Sequence, residues 1–261
     1  MKIHVAIEPP QVIETGLAMK VAAVLKREPS DTRLLLAGKI PKIIARYDDN
    51  AAAESAVKGL KNLGLTAMAI ADEELHPSVP VFETRNLELA PGEIIFRDGA
   101  GYEKRTHPDE VFVIIAGIIH TRTEISGTRQ SRKLNIAGTL LMGGLPVFGK
   151  MNEPVIDQSV NTEPFIRLYP KFPGGSTIEI CRSNLTGYAF LGSGIQGSSY
   201  VNFENTVLKL RELCPQAVFD NRLMKASAAV EYSGRAQEDN DPNCQLMYLF
   251  HLMAADKRLN P

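Results

Sequence analysis

The chain has no tryptophan, only three cysteines and almost no net charge, and each shortage excludes something. Cys181, Cys214 and Cys244 are odd in number, widely spaced and without a C-x-x-C pair. That argues against a disulfide framework and against a structural zinc site. A reducing compartment is the simplest setting for them. A net charge of −1 gives no global attraction toward nucleic acid or an anionic membrane, so any basic site has to be local. No apolar run reaches the roughly 18–20 residues that span a bilayer. The opening MKIHVAIEPP lacks a signal-peptide core, because Glu8, Pro9 and Pro10 interrupt it. The expectation is a cytoplasmic protein without a transmembrane segment. There is no obvious internal repeat and no long low-complexity tract.

What is present is ordinary globular material. The 261 residues are 44% hydrophobic and 23% charged, enough for a core without staples and for two domains or one large one. The longest apolar run is Glu110 to Ile125, EVFVIIAGIIHTRTEI. Its Val and Ile content and its charged ends predict a central strand, buried on both faces as far as Gly117 and on one face beyond it.

Residues 1–75 predict the order βααβαβ. Lys2 to Ile7 alternates as a half-buried strand does. Gln11 to Arg27 places Val12, Leu17, Val21, Val24 and Leu25 near helical spacing, and Pro29 ends that helix. A short helix follows over Asp31 to Ala37, with Gly38 placed to stop it. Lys42 to Tyr47 is a second strand. An acidic cap at Asp48 or Asp49, or Asn50, opens a helix running to Asn62, and Gly64 terminates it. Leu65 to Ala71 is the third strand. The stretch Ile43 to Ile70, IIARYDDNAAAESAVKGLKNLGLTAMAI, carries a resemblance. Leu17 to Ile70 looks like the C-terminal domain of the bacterial ribosomal stalk protein and like the adaptor of the Clp protease. The similarity covers about a quarter of the chain and implies a protein-binding domain with no catalytic residues to transfer.

Residues 82–219 predict a second module. Phe82 to Leu89, Glu93 to Arg97, Tyr102 to Arg105 and the Glu110 strand follow one another, separated by the turn signals Pro91-Gly92, Asp98-Gly99 and Pro108-Asp109. That succession makes an antiparallel meander. From Ser126 to Thr162 the chain is rich in Gly, Ser, Asn and Pro and is expected to be a long insertion. Strands resume at Phe165 to Tyr169 and Thr177 to Cys181. Asn202 to Leu213 is the clearest helix, with Phe203, Val207, Leu210 and Leu213 on one face and Pro215 after it. About seven strands and a closing helix resemble the pleckstrin-homology-like barrel. The fragments GTLLMGGLP and NFENTVLKLRELCPQAVFDNRL, with the first module, resemble a delta-proteobacterial protein family to which no activity is attached. The overall expectation is α+β: a small βααβαβ domain, then a pleckstrin-homology-like barrel or sandwich capped by one helix. Residues 220–261 are expected to form a tail, with an amphipathic helix over Gln245 to Leu259 that either docks on a domain or binds a partner.

The chemistry-bearing patterns are few. Gly144 to Met151 fits G-x-x-x-x-G-K, the loop that cradles phosphates. Met151 stands where Ser or Thr should hold magnesium, Pro146 removes a backbone donor, and Asn152-Glu153-Pro154 is a poor helix start. None of His4, His76, His107, His120 and His251 has metal-site spacing, so no metal is expected. No cofactor is expected either. Ser193, Ser198 and Ser199 lack the setting of a serine nucleophile. One local charge cluster remains: Arg122, Arg129, Arg132, Lys133 and Lys150, opposed only by Glu124 before Glu153. It is a solvated loop or an anion-binding face for an acidic partner, a lipid headgroup or a phosphate backbone. The apolar patch from Leu140 and Leu141 to Phe148 beside it would mark an interaction site if exposed. With Phe148 the only aromatic residue there, the signal for nucleic acid is weak. These features favour a non-enzymatic protein-interaction or regulatory protein with an unidentified protein partner. An anionic-ligand sensor using residues 122–150 and a nucleotide-dependent enzyme using Gly144 to Met151 are the alternatives.

Overall fold

A computed structural model of the chain describes residues 2–14, 16–134, 148–172, 175–224 and 236–259, with side chains described over 2–14, 16–119, 162–172, 175–224 and 242–256. The fold is α+β. It contains three open sheets, and no barrel closes among the described residues.

The first sheet holds β1 (Ile3–Glu8), β2 (Lys42–Tyr47) and β3 (Thr66–Ala71) in the order β2-β1-β3, with β1 antiparallel to both neighbours. Helices α1 (Leu17–Leu25), α2 (Pro29–Leu36) and α3 (Asn50–Asn62) cover one face, where Val5, Ile7, Val21, Leu36, Val57 and Leu60 form the core. The first helix is shorter than its sequence pattern. Val12 is 75% exposed and Gly16 caps the helix, so Gln11 to Glu14 stay outside it. The other boundaries follow local chemistry. Pro29 occupies the first turn of α2, where its missing N–H costs nothing. Gly38, at φ +110°, takes the chain away from the helix end in a conformation closed to other residues. Asp49 accepts hydrogen bonds from the N–H groups of Ala51 and Ala52 and fixes the start of α3. A four-residue helix, α4 (Asp72–Leu75), follows β3 directly.

The stretch Phe82 to Leu89, expected as one strand, divides into β4 (Phe82–Glu83) and β5 (Asn86–Ala90), which belong to different sheets. Strands β5, β6 (Glu93–Arg97) and β7 (Glu103–Thr106) form a three-stranded meander. The larger sheet runs β11-β8-β9-β10-β4, where β8 is Val111–Leu134, β9 is Phe148–Pro170, β10 is Ile178–Cys181 and β11 is Val218–Leu223. It is mixed: β11 lies parallel to β8, and β4 parallel to β10. Leu87, Ile94 and Phe96 of the meander pack against Ile114, Ile166, Leu168 and Ile180 of the larger sheet. Helix α5 (Ser199–Leu213) inserts Phe203 and Leu210 into the same core. The arrangement is therefore an open sandwich with a helix on it, in place of a closed barrel.

Of the insertion expected over Ser126 to Thr162, the described residues 126–134 and 148–162 are strand. The β8–β9 ladder continues from Ile118↔Pro164 to Leu134↔Phe148, beyond the points where β11 and β10 last pair with it. Gly117 permits the tight junction where that extension leaves the sheet. A methyl group there would sit 2.6 Å from the Phe165 ring and 2.8 Å from Cβ of Leu223.

Within residues 220–261, expected as a tail, the described elements pack on both modules. β11 joins the larger sheet, and helix α6 (Ala236–Leu259) lies between the two sheets. Leu246 and Phe250 pack with Ala6, Ile70 and Leu75 of the first module. Cys244, Met247 and Tyr248 pack with Val113, Ile115 and Phe165 of the larger sheet. The amphipathic helix thus docks on both sides, and each large apolar side chain it buries contributes roughly 1.5–3 kcal/mol.

Candidate functional site: a groove along a sheet edge

Because α3 lies on one face of the first sheet and α6 on the other, the edge strand β3 is left between them. There they enclose a groove of about 1470 Å³. Its apolar floor comes from Met68, Leu249, Leu252 and Met253. The α3 side presents Glu54, Lys58 and Lys61, and the α4 and α6 side presents Glu73, Glu74 and Asp256. Lys58 and Lys61 are the outward flank of a helix whose opposite flank, Ala53, Val57 and Leu60, is buried. Small-molecule sites usually span about 300–1000 Å³, so this groove is larger than such a ligand needs. Its two methionines give it an adaptable surface of the kind used to accept varied apolar segments.

The ionisable groups elsewhere are mostly matched to one another. Asp220 on β11 is 5% exposed and sits at the junction of the two modules. Arg222 donates to it at 2.7 Å and His251 of α6 lies 2.8 Å from the same carboxylate oxygen. The guanidinium of Arg222 also donates to Glu8 of β1 at 2.8 Å and to the carbonyl of Lys39. Burial opposes ionisation of Asp220, but the hydrogen bonds from His251 and Arg222 outweigh it and hold the carboxyl well below the usual range. This cluster joins β1, the α2–β2 connection, β11 and α6 in one network.

A second buried pair, Arg167 and Glu179 at 2.6 Å, occupies register partners of β9 and β10. The Cys181 thiol donates to Glu179, and burial followed by the negative charge of Glu179 pushes its pKa well up. That is the opposite of an activated thiol. Arg182 donates to Glu163 and to the Ser199 hydroxyl and lies over the Tyr200 ring. His4 bonds Asp72 at 2.7 Å, and that hydrogen bond holds the Asp72 carboxyl below its ordinary range. Among the described residues no group of three or more His, Cys, Asp or Glu side chains could hold a metal ion. No helix among them is long and apolar enough to cross a membrane. The three cysteines are buried and unbridged.

The residues singled out from the sequence fall elsewhere. The side chains of His120, Arg122, Arg129, Arg132, Lys133, Phe148 and Lys150 lie outside the described residues, as do Leu140 and Leu141 entirely. The backbone fixes part of their relation: Arg132 is the register partner of Lys150, and Arg129 of Glu153. Gly149, Lys150 and Met151 run within β9, so no helix N-terminus follows the phosphate-loop pattern.

No family model, curated protein or solved structure matches the chain.

The groove was invisible to sequence reasoning because its walls come from residues some 200 positions apart. Lys58 and Lys61 read as an ordinary solvated helix face, and Leu249 and Met253 as core. One signal was available: α6 carries apolar residues on more of its circumference than docking on a single surface requires.

Proposed function

We propose that this chain is a non-enzymatic interaction protein that holds an apolar segment of a partner protein in the groove between α3 and α6. The observation that carries the reading is the groove itself, about 1470 Å³ in volume with an apolar floor. Of the charged side chains that line it, Glu54 accepts from Asn50 and Glu74 from the Ala71 N–H, while Lys58, Lys61, Glu73 and Asp256 have no side-chain hydrogen bond or ion pair among the described residues. Unmatched charge around an apolar floor is the arrangement of a binding surface, with a desolvated centre and a polar rim. The resemblance of the first module to adaptor-type domains supports the same reading, and the three unbridged cysteines support a cytoplasmic setting.

A peptide library selected against the intact protein tests this. Enriched peptides are expected to carry apolar anchors and to lose at least about tenfold in affinity against Met253→Glu, a change in rim and floor chemistry. A melting curve like that of the parent protein establishes that the variant is folded. Selected peptides that bind the variant equally well refute the site.

A second reading, an anionic-ligand sensor using residues 122–150, draws support from the ladder. Its backbone register makes Arg132 and Lys150, two members of the basic cluster, partners across the ladder. Flotation with anionic vesicles at low salt tests it, and absence of binding removes it.

A further inference from the structure

We propose that the groove takes its partner as an added β-strand, antiparallel or parallel to β3, with apolar and acidic side chains alternating along the added segment. This inference rests on the groove reading and specifies how the site is used.

In an antiparallel ladder, alternate residues direct both backbone groups toward the neighbouring strand and the residues between direct theirs away. Asp72 N–H donates to the Lys2 carbonyl, in register with the pairs His4↔Ile70 and Ala6↔Met68, so the even-numbered residues face β1. The odd-numbered residues face the open edge. Ala71 bears this out, since its N–H turns away from β1 and is capped by the Glu74 carboxylate at 2.9 Å. Leu65, at the other end, donates to the carbonyl of Leu60. Between these two closed ends stands Ala69, partly exposed and lining the groove. No hydrogen bond of its N–H or carbonyl to anything outside β1 exists among the described residues. An unpaired strand edge is a template for another strand.

The side chains fit that use. Ala67, Met68 and Ala69 include no charge and no proline, two of the devices by which edges are usually blocked. The two faces of the edge differ in chemistry. Ala67 and Ala69 belong to the layer of α3, whose groove flank bears two lysines, Lys58 and Lys61, against one acid, Glu54. Met68 and Ile70 belong to the layer of α6, with Leu249 and Met253. Successive side chains of an added strand point to opposite faces. One set would therefore meet the lysines and the other the apolar floor, which calls for acidic and apolar residues in alternation. A helical occupant would leave the Ala69 backbone groups without partners.

The test uses the whole protein, labelled with nitrogen-15, and three synthetic ten-residue peptides. The first alternates Val and Glu, the second alternates Val and Lys, and the third is the Val–Glu peptide N-methylated on every residue, which removes the donors along both edges. The Val–Glu peptide is expected to shift and protect the Ala69 amide. Affinity is expected to fall at least tenfold for the Val–Lys peptide and for the N-methylated peptide. The double variant Lys58→Glu/Lys61→Glu, at two exposed positions, is expected to reverse the preference between Glu and Lys peptides. Binding that survives N-methylation, or shifts confined to Leu249 and Met253 with Ala69 unchanged, overturns strand addition while leaving the groove as a site. No shift with any of the three peptides overturns strand addition, and the library selection then decides the groove separately.

Discussion

Replacing Asp220 with alanine tests the junction that holds the two modules together. The carboxylate is 5% exposed and accepts from the guanidinium and the backbone N–H of Arg222, with His251 at 2.8 Å. Removing one member of a buried charged network costs about 3–5 kcal/mol, chiefly because the remaining charge is stranded. Arg222 would keep Glu8 and the Lys39 carbonyl, so the lower end applies, about 3 kcal/mol. At about 2–4 °C per kcal/mol for a chain of this size, the melting temperature should fall by about 6–12 °C. The chain has no tryptophan, so far-ultraviolet circular dichroism during urea or thermal unfolding is the suitable readout. The pH dependence follows from the depressed pKa of this carboxyl. Its contribution is complete above the unfolded-state value of about 3.9 and is lost as pH falls from there through the folded-state value. The stability gap between the parent protein and Asp220→Asn should therefore narrow from pH 5 toward pH 2. A gap that stays constant over that range, or an alanine variant within about 1 kcal/mol of the parent, would refute the assignment of this cluster as the clamp.

Gly117→Ala forces a methyl group against Phe165 and Leu223 and should destabilise by about 1–3 kcal/mol or more, read from the urea midpoint. Glu179→Leu should cost more than the double change Arg167→Met/Glu179→Leu, since the single change removes the Glu179 contact of a buried guanidinium and keeps the charge; equal losses would show that the pair is not the controlling contact. Burial raises the Cys214 thiol to about 11 and pushes the Cys181 thiol up as well, so iodoacetamide at pH 8 should label neither in the native protein and both in urea. Lys58→Glu/Lys61→Glu should leave the melting temperature within about 2 °C of the parent, because both side chains are exposed and surface changes seldom exceed about 0.5 kcal/mol.

Local structure was legible wherever its cause was local. KIIARY, the acidic cap at Asp49, the helix to Asn62 and the strand after Gly64 all form as their patterns predict, because capping, proline and glycine act within a few residues. The same holds for α5. Two features were missed. Thr84 and Arg85 carry the chain from one sheet to another, and the apolar positions change phase across them, from Phe82 to Leu87 and Leu89, a break that reading Phe82 to Leu89 as one strand passes over. The polar stretch after Ser126 pairs with a stretch beginning at Phe148, although its glycine and serine content suggests irregular chain. The candidate site was illegible for a related reason. Lys58 and Met253 are unremarkable by themselves, and only the packing of α6 against both sheets brings them to one groove.

That packing also orders the events of synthesis. Ala6, Ile70 and Leu75 of the first module and Val113, Ile115 and Phe165 of the larger sheet are all translated well before α6, yet each group has α6 as its cover. Until that helix emerges, a nascent chain carries two greasy, half-finished surfaces facing one another. Final closure is therefore a late step, and a truncation just before α6 should produce a sticky intermediate that is a client for chaperones.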